Sequence, residues 1–299
     1  MRRGLDAFGE SIWAKKKVQA LRLFLLTALT MVAFAANSVL NRMAIVDGGM
    51  DAVLFAVVRL LAGAGLLAGL LLWQRKGFDF SSVRRPIGAL SLLVYLFGFS
   101  LAYQVLPSGV GALLLFGMVQ MTMFFAAVTG GDMIGRMRWL GTGLAFAGLC
   151  WMLWPSGGEA MTPFMAVGSM MIAGVGWGVY SLVGRSAKDP VQATAMNFIV
   201  AAPIGLALLF VLPANLDAMT SAGLALAIIS GAITSGMGYA LWYAVVPELG
   251  ATRAAVSQLT VPVIATFGGV LFLSESVTLQ FALSTALVLG GVGLALRNK

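Results

Sequence analysis

The chain has no histidine and a single cysteine, Cys150, among 299 residues. One cysteine builds no internal disulfide framework, and the missing histidine removes the commonest general base and metal ligand. Charge is scarce as well. Only 10% of residues are Asp, Glu, Lys or Arg, against roughly 25% in soluble domains, which excludes a chain built to fold in water. The balance is basic, net +8, but Lys and Arg are scattered along short connecting segments, so a nucleic-acid surface is not indicated. No metal-ligand cluster, phosphate loop or nucleophile–base constellation is present, so neither a cofactor nor an enzyme's catalytic centre is expected. The Gly141-Thr142-Gly143 triplet lies inside an apolar run, where cradling a phosphate has no place.

What the chain has in abundance is apolar length. It is 60% hydrophobic, and roughly 20 apolar residues cross a bilayer core of about 30 Å. Ten such runs are read at 21–46, 51–74, 86–106, 108–130, 138–155, 161–184, 190–212, 220–246, 249–273 and 277–297. In lipid each backbone group needs a partner within its own segment, so these are helices. With the N-terminus in the cytoplasm, the basic residues of 2–22, 75–85, 136–138, 185–188, 253 and 297–299 all fall on one side. Only Arg42 and Arg59 are left over, and the opposite loops carry Asp47, Asp51, Glu159, Asp217 and Glu275. That asymmetry is the positive-inside pattern, with both termini cytoplasmic. The basic start, apolar stretch and small Ala33 and Ala35 also resemble a signal peptide. The apolar run continues to Val46, and cleavage would break the charge alternation, so it is read as a retained first span.

Two stretches match in register. In YLFGFSLAYQVLP (95–107) and SGMGYALWYAVVP (235–247), Gly98 lies over Gly238, Tyr103 over Tyr243 and Pro107 over Pro247. FAANSVLNRMA (34–44) lies likewise over WGVYSLVGRSA (177–187), and Asp132 falls on Glu275. Residues 21–155 and 156–299 therefore read as two copies of a five-helix unit behind a cytoplasmic segment 1–20. Five is odd, so the second copy enters from the opposite side. Such an inverted repeat places a substrate site between the copies near the midplane. The expected fold is an all-α polytopic membrane protein, ten transmembrane helices in two inverted repeats around a central cavity.

The candidate site residues follow from spacing. Tyr95, Phe99 and Tyr103 are four apart on the third helix, and Tyr239 and Tyr243 on the eighth, which puts each set on one face. Trp177 and Tyr180 share the sixth. A buried phenol needs a hydrogen-bond partner, which a wet cavity supplies and lipid does not. The bland alternative is ring packing between helices, and Tyr103 and Tyr243, near helix ends, also suit the membrane interface. Polar residues sit on the neighbouring helices: Asn37, Ser38 and Asn41 on the first, Met118, Gln120 and Thr122 on the fourth, Ser257, Gln258, Thr260 and Pro262 on the ninth. They suit a polar-lined pocket or interhelical glue. Arg59 is the one ionisable group well inside a span. It either holds a substrate carboxylate or pairs structurally with Asp51, Asp47 or a helix end, on a second helix expected outside the central set. No Asp or Glu lies deep in any span, so the usual proton- or sodium-carrying group is missing. Glycine-rich faces such as Gly65–Gly69 and Gly290–Gly293 allow close helix packing in a monomer or a weak homodimer.

These features resemble the EamA-type members of the drug/metabolite transporter superfamily. The matching residues are the FAANSVLNR and WGVYSLVGR pair, the Pro-then-Gly start of helices 4 and 9, and the acid at Asp132 or Glu275. Within that group the text is most similar to the YddG-type exporters of aromatic amino acids. The resemblance implies a bacterial inner-membrane exporter, with helices 1, 3, 4, 6, 8 and 9 around a cavity and helices 5 and 10 outside. It implies Trp, Phe and Tyr as substrates, with Thr, Met and small cationic drugs as further ones. Phe34-Ala35 departs from the Trp-Gly that many members carry there, which Trp177-Gly178 retains. A carrier of quaternary cations or other metabolites with the same build is the alternative, since an aromatic cage also suits a cation.

Overall fold

The computed structural model describes the backbone of residues 2–82, 84–131, 135–154 and 164–296, with side chains from residue 17 onward except 251–252 and 296. Asp132, Glu159, Arg297 and Lys299 lie outside the described residues, and Arg2, Arg3, Lys15 and Lys16 are described by backbone alone. The helices are α1 Arg2–Arg42, α2 Ala52–Trp73, α3 Arg85–Ala102, α4 Ser108–Thr129, α5 Arg136–Met152, α6 Phe164–Gly184, α7 Pro190–Leu208, α8 Ser221–Gly250, α9 Arg253–Leu273 and α10 Leu279–Leu296. No strand occurs among the described residues. Eight of these helices are long and apolar enough to cross a membrane; α10 is a shorter apolar helix. Large apolar side chains stand exposed around the bundle, among them Phe24, Leu72, Phe125, Phe210 and Phe267. Lipid is the solvent that tolerates so much apolar surface, and the chain is a multi-pass membrane protein.

Local chemistry sets the helix ends. Asp51 accepts from the amides of Val53 and Leu54 at 2.9 and 3.0 Å and starts α2. Asp189 accepts from the Gln192 amide at 3.0 Å ahead of Pro190, an N-cap followed by the proline that a first turn favours. Thr220 caps α8 through the Gly223 amide. Gly250, at φ 70°, separates α8 from α9 in a conformation that a side chain rarely adopts. Two stretches widen to π-type turns, Met43–Asp47 after α1 and Ser230–Met237 within α8. Such bulges gather at functional sites.

Small residues carry the closest helix contacts and reveal their directions. Gly141 meets Gly291 and Ala295 while Gly148 meets Leu287 and Val288, so α5 and α10 run antiparallel. Gly98 faces Ser169 and Gly176 faces Ser91, which makes α3 and α6 antiparallel. Asn37 bonds Thr234 and Gly238 approaches Ala33, giving the same sense to α1 and α8. Gly63 against Phe198 and Gly205 against Leu60 oppose α2 to α7. Gly109 beside Thr266 and Gln120 bonded to Ala255 oppose α4 to α9. Residues on both sides of Ala33–Ala35 belong to one helix, with Met31, Phe34 and Ala35 buried in the core.

Candidate functional site

The centre of the bundle is a block of aromatic rings. Tyr95 and Phe99 project from α3, Trp177 and Tyr180 from α6, Tyr239 and Tyr243 from α8, and Phe34 from α1, all buried. Trp177 is the hub, with centroids 4.6 Å from Tyr239, 4.9 Å from Tyr95, 5.0 Å from Phe34 and 5.4 Å from Tyr180. The rings touch one another directly, so in this conformation side chains fill the place where the sequence leads one to expect open space. The i, i+4 spacing on α3 and α8 accounts for half of this arrangement. The crossing of α3, α6 and α8 supplies the rest.

Arg59 enters this block from α2. The second helix therefore reaches the centre, contrary to its expected place outside, and neither Asp51 nor Asp47 is its partner. Asp51 is committed to capping α2. Arg59 donates from Nε to Ser235 Oγ at 2.8 Å and from Nη2 to Tyr239 Oη at 2.6 Å and Tyr95 Oη at 3.1 Å. Tyr239 in turn donates to Tyr95 Oη at 3.0 Å. The guanidinium carbon lies 5.0 Å from the Phe99 centroid and 5.5 Å from that of Tyr95, within cation–π range. A fully buried arginine in a membrane span costs about 2.5–3.5 kcal/mol on insertion scales. Three hydroxyls and two ring faces offset part of that, and Nη1 has no partner among the described residues.

Asn37 organises the adjoining polar layer. Its Oδ1 accepts from Ser230, Thr234 and Ser235 at 2.9, 2.5 and 3.2 Å, and its Nδ2 donates to the Thr234 carbonyl. This clasp holds the widened turn of α8, which carries Ser235 to Arg59. The widening was not foreseeable from apolar periodicity; the Ser230, Gly231, Ser235, Gly236 spacing was the only signal.

Tyr103 and Tyr243 are not interfacial, as their positions near helix ends suggested. Both are buried: Tyr103 donates to the Ser108 carbonyl at 3.2 Å and Tyr243 to the Tyr180 carbonyl at 3.0 Å. The remaining candidates lie on α4 and α9. Met118 packs against Gly174 on α6. Gln120 reaches the Ala255 carbonyl at 3.5 Å, and Ser257 bonds back to Arg253 on its own helix. Gln258 is buried with neither side-chain polar atom bonded among the described residues, as is the indole nitrogen of Trp177. Each unmet buried polar atom costs about 1–3 kcal/mol.

The two ends of the bundle differ. At one end Glu275 accepts from the Ser108 amide and hydroxyl and lies 3.6 Å from Arg42, which also donates to the Tyr103 carbonyl. At the other a cavity of about 270 Å³ opens between Asp79, Ser82 and Arg84 ahead of α3, the end of α6 and the start of α7, with Asn197 and Tyr243 on its wall. Arg84, Arg85, Lys188, Asp79 and Asp189 ring it. Burial alone would raise the Asp189 carboxyl, but the hydrogen bond from Lys76 and the Gln192 amide hold it below the usual range. Tyr243 packs on Tyr180 with centroids 4.9 Å apart and the rings tilted by 33°, so the cavity wall is continuous with the ring block.

The chain is 42% identical over 276 residues to the uncharacterized protein PA1977 of Pseudomonas aeruginosa, covering 92% of this chain and 94% of that one. A solved crystal structure of another protein superposes with a TM-score of 0.63 over 90% of this chain and 96% of its own, at 18% identity, a likeness of fold alone. The profile of the EamA-like transporter family matches residues 164–297. Residues 164–297 are thus an EamA-like transporter family domain, of the kind found in membrane transporters of the drug/metabolite type.

Proposed function

We propose that this transporter exports aromatic amino acids, and that the substrate ring inserts among Tyr95, Phe99, Trp177, Tyr180 and Tyr239. The observation that carries the reading is the ring block itself, which takes side chains from α1, α3, α6 and α8 and thus from both halves of the chain. An aromatic ligand replaces ring-on-ring contacts with others of the same kind, worth about 0.5–1.5 kcal/mol per pair beyond burial.

In this reading residues 21–155 and 156–299 are inverted copies of a five-helix unit. Helix neighbours support it. α1 packs on α8 and α9, and α6 packs on α3 and α4, the pattern that an exchange of halves produces. The matched helices α2 and α7, α4 and α9, and α5 and α10 run antiparallel. Movement of one copy against the other then alternates access. The basic cavity faces the cytoplasm of a bacterial cell, both termini are cytoplasmic, and the Glu275–Ser108–Arg42 cluster closes the far side. The structure is then the form that loads from inside.

Counterflow in proteoliposomes tests this, with labelled Trp, Phe, Tyr, Thr and Met. The aromatic substrates exchange fastest, and Trp177→Ala or Tyr239→Ala lowers their rate at least tenfold. Trp139→Ala, at an exposed ring on α5, leaves it unchanged. Folded protein that moves none of the aromatic amino acids refutes the proposal.

A further inference from the structure

We infer that Arg59 is an anion seat: the transported molecule carries a carboxylate beside its ring, and this carboxylate displaces the Tyr95 and Tyr239 hydroxyls from the guanidinium. The inference rests on the proposed transport site and names the charge class of what it takes.

The site is built for an anion in four respects. Arg59 is fully buried, and no carboxylate pairs with it among the described residues; the two ion pairs found there are Arg42–Glu275 and Lys76–Asp189. Its partners are neutral hydroxyls, each of which can turn to donate to a carboxylate. Its Nη1 has no hydrogen-bond partner among the described residues, leaving a donor on the edge that a carboxylate engages bidentately. The rings of Tyr95 and Phe99 lie beside the guanidinium, so a ligand with its carboxylate on Arg59 has its apolar part among the rings. A cationic ligand meets the opposite. Arg59 repels it, and the described spans hold no Asp or Glu at this depth to receive it.

The same exchange bears on movement. Arg59 stands on α2, whereas Ser235 and Tyr239 stand on α8. As they stand, these bonds tie the first half of the chain to the second. A carboxylate that takes the Nη2 donor unties Tyr239 and leaves α8 free to shift against α2, so occupancy and rocking share one set of hydrogen bonds.

The test uses four compounds with one ring: 3-phenylpropionate, its neutral amide, the amine 3-phenylpropylamine, and phenylalanine. In proteoliposomes the wild-type protein moves 3-phenylpropionate and phenylalanine at least tenfold faster than the amine. Arg59→Gln removes this preference, with carboxylate flux falling at least tenfold relative to amide flux, while Arg59→Lys retains part of it. Thermal unfolding of the wild-type protein in detergent needs no variant: 3-phenylpropionate raises the midpoint and the amide does not. The inference is overturned if the amide stabilises as well as the carboxylate, if the amine is the preferred substrate, or if folded Arg59→Gln carries the carboxylate normally. Transport of ring compounds regardless of carboxylate sinks the anion seat alone. Transport of none of them sinks the aromatic export reading as well.

Discussion

Both carboxylate oxygens of Glu275 stand 2.9 Å from the backbone nitrogen of Ser108, across 167 positions of sequence. Pro107, the residue before the helix, offers no side-chain cap, so the first turn of α4 takes its acceptor from the α9–α10 connection. A carboxylate suits the positive end of a helix dipole, and Arg42 at 3.6 Å holds it in place. Glu275→Gln loses the charge and the pair at once. The expected cost is about 1 kcal/mol, read as a fall of a few degrees in the unfolding midpoint in detergent. Asp217→Asn, at an exposed acid, serves as the control. Equal midpoints for the two variants would refute the capping role.

Gly231 lies directly against the Arg59 carbonyl, closer than a Cβ can approach. The obstacle is backbone, which does not yield as a side-chain tip does. Gly231→Ala is expected to push the widened turn of α8 off α2, breaking the Ser235–Arg59 bond and lowering flux at least tenfold. Gly65→Ala, two turns along α2 with no atom within 4 Å of its new methyl, should be neutral or stabilising by up to about 1 kcal/mol, the helix penalty of glycine. Flux and unfolding measured side by side decide it, and a harmless Gly231→Ala would count against the packing described.

Asp189 predicts a pH dependence. Its carboxyl is held below the usual range in the folded protein, so its contribution is present above the unfolded carboxylate value and fades as pH falls through the folded one. The pair with Lys76 is partly exposed, with side chains 38% and 31% accessible, so the effect is modest, on the order of 0.5 kcal/mol. Asp189→Asn should lower the unfolding midpoint at pH 7 and lower it less near pH 3. A difference from wild type that stays the same at both pH values would contradict this.

Much of the fold was legible before any coordinates. Apolar runs near 20 residues are local signals, and each acts within a few residues of itself. The ring ladder was legible for the same reason, since Tyr95 and Phe99 share a face by helix periodicity alone. Arg59 was noticed, but its partners were not. Tyr95 lies 36 positions away and Tyr239 lies 180, and no periodicity within α2 carries that information. The nearby acid Asp51 was the obvious partner, yet the helix start claims it.

The sequence by itself determined the solvent, the helical segments and the ring-bearing faces, because hydropathy, caps and 3.6-residue periodicity are short-range properties of the chain. Tertiary structure alone decided that the rings of α3, α6 and α8 meet, and that α2 delivers a cation among them. It also decided that Glu275 caps α4 at one end while a cavity opens at the other. Those outcomes depend on which helices cross and how closely, and that is set by glycine contacts between helices far apart in sequence.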